Sequence, residues 1–303
     1  MMAQMAIHKI VTIVAILTLS TAVLLSLKQS DFLQPAPNIA APEPVCQNET
    51  SIVTSTSVSD SLSITDKVAV IIENRLFNSL IPLILHFAAV LGPTWPIILY
   101  TSSEVMDSLQ NSTALARMER QIQVRPLPAG TEFRTHGSVS KFLTDRWLWE
   151  DLAPAERVLL FQADSMICSN AQQSMDDFLE YDFIGAPIRQ EFGRGYNGGL
   201  SIRNRRKVLD IVTEFDWEAE KSSPTRDTPW QIDFEDQWMV MKMSESLDPR
   251  LPSQEIAQTF AVETIYYDKP LGYHQVTRWW QDSLSDIQSW CPEVSLAIGS
   301  TFA

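Results

Sequence analysis

The sequence predicts a mixed α/β domain on a mostly parallel sheet flanked by helices, preceded by a transmembrane helix and a stem. Three observations carry this. The stretch KVAVIIE (Lys67 to Glu73) is nearly continuous in β-branched and apolar residues, the pattern of a strand buried on both faces. An apolar helical stretch and a second such run, PIILYT (Pro96 to Thr101), follow within about 35 residues, the spacing of a βαβ unit in a parallel sheet. Ahead of them, residues 10–27 form a run of 18 residues without a charge.

That run lies between Lys9 and Lys28. As a helix it measures roughly 27 Å, close to the hydrocarbon thickness of a bilayer. A cleaved signal peptide is the competing reading, with a shorter apolar region and small residues at the cut, here only Ser20-Thr21-Ala22. The length favours an uncleaved anchor. With residues 1–9 as a short cytoplasmic tail, everything folded follows the anchor. The expected topology is therefore a single-pass type II membrane protein with its domain in the lumen of the Golgi or endoplasmic reticulum. The sequons at Asn48 and Asn111 are consistent with it.

Residues 28–65 read as a stem. Pro35, Pro37, Pro42 and Pro44 precede a stretch rich in Ser and Thr, a composition too poor in bulky side chains to bury a core. The folded domain is expected over 66–292, with a tail at 293–303. The chain has three cysteines, Cys46, Cys168 and Cys291, so one intrachain disulfide is available. Cys168 with Cys291 is one option, and the sequence leaves the pairing open. The formal charge of −14 and the lack of a basic run exclude nucleic acid as a partner. RNRRK (Arg203 to Lys207) is too short to change this and reads as the solvated start of a helix.

Within the domain, Asn78 or Ser79 can cap a helix that carries Pro82 in its first turn and ends at Gly92-Pro93. The spacing of Phe142, Leu143, Trp147 and Leu148 predicts one helix over 138–152. VLLFQA (Val158 to Ala163) is a central strand, and DFIGAP and NGGLSIR are two more. RKVLDIVTEF and DQWMVMKM return to helical periodicity. Most of the nine tryptophans have apolar neighbours, so core packing is their expected role.

Ligands of open α/β sheets sit beyond the carboxyl ends of the strands. That rule selects Glu73 and Arg75 after the first strand and Asp164 after the central one. Asp164 has two readings, a turn former or a ligand of a hard cation such as Mg²⁺ or Mn²⁺. Four of the ten glycines lie between Gly193 and Gly199, where backbone can approach a ligand closely or make a bulge. DFEDQW (Asp233 to Trp238) places three carboxylates before a helix, enough for capping and for a general base. Of the four histidines, His8 is next to the anchor, His86 reads as packed in a helix and His136 as a turn residue. His274 in PLGYHQ is the candidate metal ligand.

Taken in order, VAVIIENR, LIPLILHFAAVLGPTWPIILYT, VLLFQADSMIC, DFIGAP, GYNGGLSIR, EDQW, FAVET and PLGYHQ resemble a family of fungal proteins whose shared domain has no assigned function. The resemblance covers about residues 66 to 292. That family in turn resembles glycosyltransferases of the GT-A, Rossmann-like fold, in which an Asp-x-Asp pair holds a divalent metal on the diphosphate of a nucleotide-sugar. Asp164 matches the first aspartate, and Met166 stands in place of the second. The resemblance implies that Asp164 and His274 bind Mn²⁺ or Mg²⁺. It also implies that Asn197, Gly198 and Gly199 line the donor sugar, with Glu235 and Gln237 as further substrate contacts. Asp236 would be the catalytic base or an acceptor-positioning group, and Glu73 and Arg75 would lie near the nucleotide. The implied activity is sugar transfer from a nucleotide-sugar donor to a glycan, protein or lipid hydroxyl. The alternative, favoured by Met166, is a membrane-tethered binding or structural module that keeps the fold without catalysis.

Overall fold

The computed structural model describes residues 62–223 and 228–298. The expected anchor, cytoplasmic tail and most of the stem lie outside the described residues. Among the described residues, no helix is long and apolar enough to cross a membrane.

The βαβ unit is present. Strand β1 (Lys67–Ile72) leads into helix α1 (Leu80–Leu91), which ends at Gly92 with φ +75°, and the chain returns as β2 (Ile97–Thr101), parallel to β1. Ser79 takes the N-cap position, although its side chain makes no capping bond. Two short helices follow, α2 (Ser103–Leu109) and α3 (Thr113–Arg117), capped by the hydroxyls of Ser102 and Ser112. Strand β3 (Ile122–Pro126) then pairs in parallel with β2.

The single helix expected over 138–152 is instead two, α4 (His136–Leu143) and α5 (Arg146–Asp151). Asp145 breaks it, because its carboxylate accepts the N–H of Trp147 and starts a new helix there. The apolar spacing continues across the break, which is why the pattern reads as one element. Strand β4 (Arg157–Phe161) lies parallel to β1, and the short β5 (Ser165–Ile167) follows after one turn. Strand β6 (Phe183–Pro187) and the long β7 (Tyr196–Asn204) complete the main sheet, with order β3-β2-β1-β4-β7-β6. β7 is the one strand reversed against the direction of the other five, so the sheet is mostly parallel as expected.

Helices α6 (Arg205–Glu214), α7 (Trp217–Lys221), α8 (Glu235–Ser244) and α9 (Gln254–Phe260) come next. The two-residue β8 (Ala261–Val262) and β9 (Gly272–His274) join β5 in a second sheet of order β5-β9-β8. Helices α10 (Val276–Trp279) and α11 (Leu284–Trp290) close the domain. The packed unit continues past the expected boundary at 292, since Val294 and Ala297 are buried in the core.

Alternation along the central strands divides the core between the two faces of the sheet. Ala69, Ile71, Leu159 and Phe161 pack with α1 and the small sheet. Val68, Val70, Val158 and Leu160 pack on the other side with Trp149, Val208 and Trp238. Burial on both faces is what the unbroken apolar runs signalled. Trp95, Trp149, Trp217 and Trp238 are core residues, in line with packing. A disulfide joins Cys168, just after β5, to Cys291, just after α11, with Cα atoms 4.9 Å apart. It ties the C-terminal segment to the strand that follows Asp164.

The segment RNRRK departs from its expected solvation. Arg203 is wholly buried. Arg205 is also buried and donates to the carbonyls of Ala155 and Trp149. Only Arg206 behaves as a surface charge, paired to Glu156, whereas the half-buried Lys207 pairs with the buried Asp182.

Candidate active site

A cleft of about 260 Å³ opens beyond the carboxyl end of β4. It is lined by β7 (Asn197, Gly198, Gly199), the first turn of α8 (Glu235, Asp236), the residues around β9 (His274, Gln275) and the start of α4. Six of the residues selected from sequence therefore meet in one place. Asp164 joins them through His274, its Oδ1 lying 3.3 Å from Nε2.

The turn Gln162-Ala163-Asp164 is fastened to β7. The Gln162 N–H and the Ser165 hydroxyl both donate to the Gly199 carbonyl, at 2.8 and 2.7 Å. The turn-forming reading of Asp164 accounts for the backbone only. Its side chain is 4 % exposed, and neither carboxylate oxygen accepts a hydrogen bond. Burial alone would raise its pKa, and the neighbouring His274 outweighs that and holds the carboxyl below its usual range. For His274 burial works downward, but Asp164 and then Glu263 outweigh it and lift the imidazole to about 10. Met166 is completely buried in the core, opposite Tyr273 in the β5–β9 ladder, and takes no part in the cleft.

The two glycines of β7 are needed for close approach. A Cβ on Gly199 would sit 2.3 Å from His274 Nε2, and one on Gly198 would sit 2.3 Å from an Arg203 guanidinium nitrogen. Gly199→Ala is therefore expected to push the His274 ring out of its slot. We expect a loss of about 1–3 kcal/mol from overpacking, read from a thermal melt, together with loss of whatever activity depends on His274.

At the other wall, the adjacent carboxylates of α8 differ in environment. Glu235 accepts from Ser140 Oγ at 3.0 Å and pairs with the buried Arg203 guanidinium at 3.3 Å. Asp236 accepts the N–H of Gly198 at 2.8 Å and that of Gln237 at 2.7 Å. Burial, and then the charge of Glu235, push the Asp236 carboxyl up to about 7. This is the range in which a carboxylate can take up and release a proton at neutral pH.

The remaining sequence candidates divide. Glu73 is buried and bound on two prongs by Arg75, both at 2.9 Å. It faces a small apolar pocket that shares Val139 and Gln162 with the main cleft. Arg75 also feels the charge of Asp164. Gln237 is not among the residues lining the cleft. Its amide accepts from the Arg194 N–H and donates to the Phe192 carbonyl, holding the loop before β7. His86 is half-buried, with Nε2 2.8 Å from the Ile167 carbonyl, as a packed residue would be. His136, expected in a turn, instead opens α4 and lines the cleft.

Glu263 was not selected from sequence, although it lies within FAVET. It lines the cleft, is 5 % exposed, and places Oε1 3.4 Å from His274 Nδ1. Gln275 is a second residue that only the structure shows. It stands in the left-handed region at φ +50°, and its N–H donates to the Asp164 carbonyl. A non-glycine residue held there is a strained position of the kind that gathers at functional sites.

The donor set suits a hard divalent cation in part. Among the described residues no three His, Cys, Asp or Glu side chains form a metal-ligand group. Such ions need only one or two protein ligands when phosphates and water supply the rest. Buried Asp164 and His274 Nε2, 3.3 Å apart, meet that requirement once the cation displaces the Nε2 proton.

The fold and cleft thus define an α/β protein with a carboxylate–imidazole site at the ends of parallel strands. By sequence the chain belongs to the family described as "Protein of unknown function (DUF5672)", whose profile matches residues 121–274, just over half of the chain. Among curated proteins, none matches the chain. Among solved structures, it is similar to the glycosyltransferase GlyE of Streptococcus pneumoniae TIGR4. The TM-score is 0.42 at 15 % identity, over 79 % of this chain and 66 % of that one. The apo form of GlyE gives 0.42 at 14 % identity, over 75 % and 63 %. The matched part of GlyE is just under two thirds of its length.

Proposed function

We propose that the chain is a GT-A-like glycosyltransferase that moves a sugar from a nucleotide-sugar donor to an acceptor hydroxyl. The observation that carries this reading is the meeting of a buried carboxylate, Asp236, with the Asp164–His274 pair and the two glycines of β7 in one cleft. The transfer forms a bond from the acceptor oxygen to the anomeric carbon and breaks the bond from that carbon to the diphosphate. In an inverting transfer, Asp236 takes the acceptor proton as the new bond forms. Hydrogen bonds from the Gly198 and Gln237 N–H groups fix the carboxylate at the wall of the cleft. Gly198 and Gly199 leave room for the donor sugar against the backbone of β7, and Asn197 lies at the rim. Glu235, balanced by Arg203, keeps the first turn of α8 in place.

Asp164 and His274 would hold Mn²⁺ or Mg²⁺, which when bound neutralises the charge growing on the diphosphate leaving group. Arg75, kept charged by Glu73, would serve the nucleotide side, although it does not itself line the cleft. We further propose the anchored topology, with residues 10–27 in the membrane and the domain lumenal in the Golgi or endoplasmic reticulum. The length of that run and the composition of the stem support it.

Met166 favours a second reading, a module that retains the fold and binds without catalysis. A panel of nucleotide-sugars incubated with the full chain and Mn²⁺ separates the two. Release of nucleoside diphosphate from one donor, suppressed by chelation and by Asp164→Ala, is expected. A folded chain that releases none from any donor is the binding module.

A further inference from the structure

An Asp-x-Asp pair would bring two carboxylates from one turn, and here Met166 removes the second by packing in the core. The charge returns from another strand. β8 pairs in parallel with β9, Val262 opposite Tyr273, so the next residues along, Glu263 and His274, emerge side by side. Glu263 Oε1 lies 3.4 Å from Nδ1, on the opposite ring nitrogen from Asp164, an ion contact outside hydrogen-bond geometry that leaves Nδ1 with no other partner among the described residues.

The backbone that carries Glu263 is tied down from both sides. The Trp280 indole N–H donates to the Glu263 carbonyl. The Arg189 guanidinium donates twice to the Thr264 carbonyl, at 3.1 and 2.7 Å, and the Thr264 hydroxyl accepts the Arg189 N–H at 2.9 Å. A carboxylate this deeply buried is costly unless it faces a donor, and the donor it faces is the His274 ring. On the other side, Nε2 faces two acceptor atoms, Asp164 Oδ1 at 3.3 Å and Gln162 Oε1 at 3.1 Å.

We propose that Glu263 is the positioning residue of this site, holding the proton on His274 Nδ1 so that Nε2 is presented to Asp164 and Gln162. Once the Nε2 proton is given up, Nε2, Asp164 Oδ1 and Gln162 Oε1 face the one place where a divalent cation would sit. A carboxylate on the far nitrogen fixes both tautomer and ring orientation and raises the basicity of the near one. The use made of Nε2 rests on the cation reading above, whereas the orientation does not and is tested separately.

The test uses the full chain with ¹⁵N-labelled histidine, His274 being assigned by its loss in His274→Gln. The expected wild-type spectrum has a protonated Nδ1 whose resonance is shifted by the facing carboxylate. In Glu263→Ala that signature is lost, and Mn²⁺ affinity, read from the electron paramagnetic resonance of free Mn²⁺ with UDP or GDP present, falls about 10–100-fold. Glu263→Gln keeps an oxygen facing Nδ1–H and recovers most of the affinity, with the Nδ1 proton resonance shifted because the contact is no longer with a charge. Should Glu263→Ala fail to fold, the Gln variant decides alone: an unmoved Nδ1–H resonance overturns the proposal. Unchanged His274 nitrogen shifts in a folded Glu263→Ala overturn it as well. A wild-type chain that binds no Mn²⁺ but keeps a Glu263-dependent His274 signature supports the positioning and removes the cation.

Discussion

Asp236→Asn is expected to reduce sugar transfer by about 10²–10⁴-fold, the usual contribution of a general base, while the chain stays folded. Asparagine keeps the shape and one acceptor for the Gly198 N–H, but it cannot take a proton from the acceptor hydroxyl. The pH dependence carries the same information. With the Asp236 carboxyl raised to about 7 by burial and by Glu235, activity should climb as pH rises through neutrality and the base ionises. Stability moves the other way. Between the ordinary carboxylate range and about 7, the folded chain holds a proton that the unfolded chain has released, so this group's contribution to stability is lost as pH rises through that window. Asp236→Asn should flatten both dependences. A variant with wild-type turnover would remove Asp236 from the chemistry.

Arg203→Met should produce the largest loss of stability of any single change at the site. Arg203 is wholly buried, with its guanidinium 4.9 Å from the Phe183 ring centre and hydrogen-bonded to Ser201 Oγ and the Gly198 carbonyl. It is the charge that balances Glu235. Removing it leaves a buried carboxylate unpaired beside Asp236, at a cost of about 3–5 kcal/mol. The double variant Arg203→Met with Glu235→Gln removes both charges and should recover much of that loss, since replacing a whole buried pair is often close to neutral. Urea denaturation midpoints of the two variants measure the difference. Equal midpoints for the single and double variants would show that the pair is not what holds this wall.

How far these residues could be read from sequence depended on whether their role is local. β1, α1 and β2 were legible because burial on both faces leaves an unbroken apolar run, and a Gly-Pro pair marks the end of the helix. Asp164, Gly198, Gly199, Asp236 and His274 were legible as a set, through the order of their motifs. The break at Asp145 was hidden because apolar spacing continues across it. The three-residue strand that carries His274 is too short to show any period. Arg203 and Arg205 look like surface charges until β6, α5 and α8 close around them, since the burial of a charge is decided by its partners. Glu263 was missed for the same reason. Its meaning lies in the pairing of β8 with β9, and two residues of strand leave no pattern to find.

The most direct test of the central claim is a thermal melt of the full chain with UDP, GDP and other nucleoside diphosphates, each with and without Mn²⁺. A ligand that binds only the folded state raises stability by about 2.7 kcal/mol at a hundred times its dissociation constant. The account predicts a rise with one nucleoside diphosphate, larger with Mn²⁺ than without, and its loss in Asp164→Ala. A folded wild-type chain whose midpoint moves with none of them would contradict it.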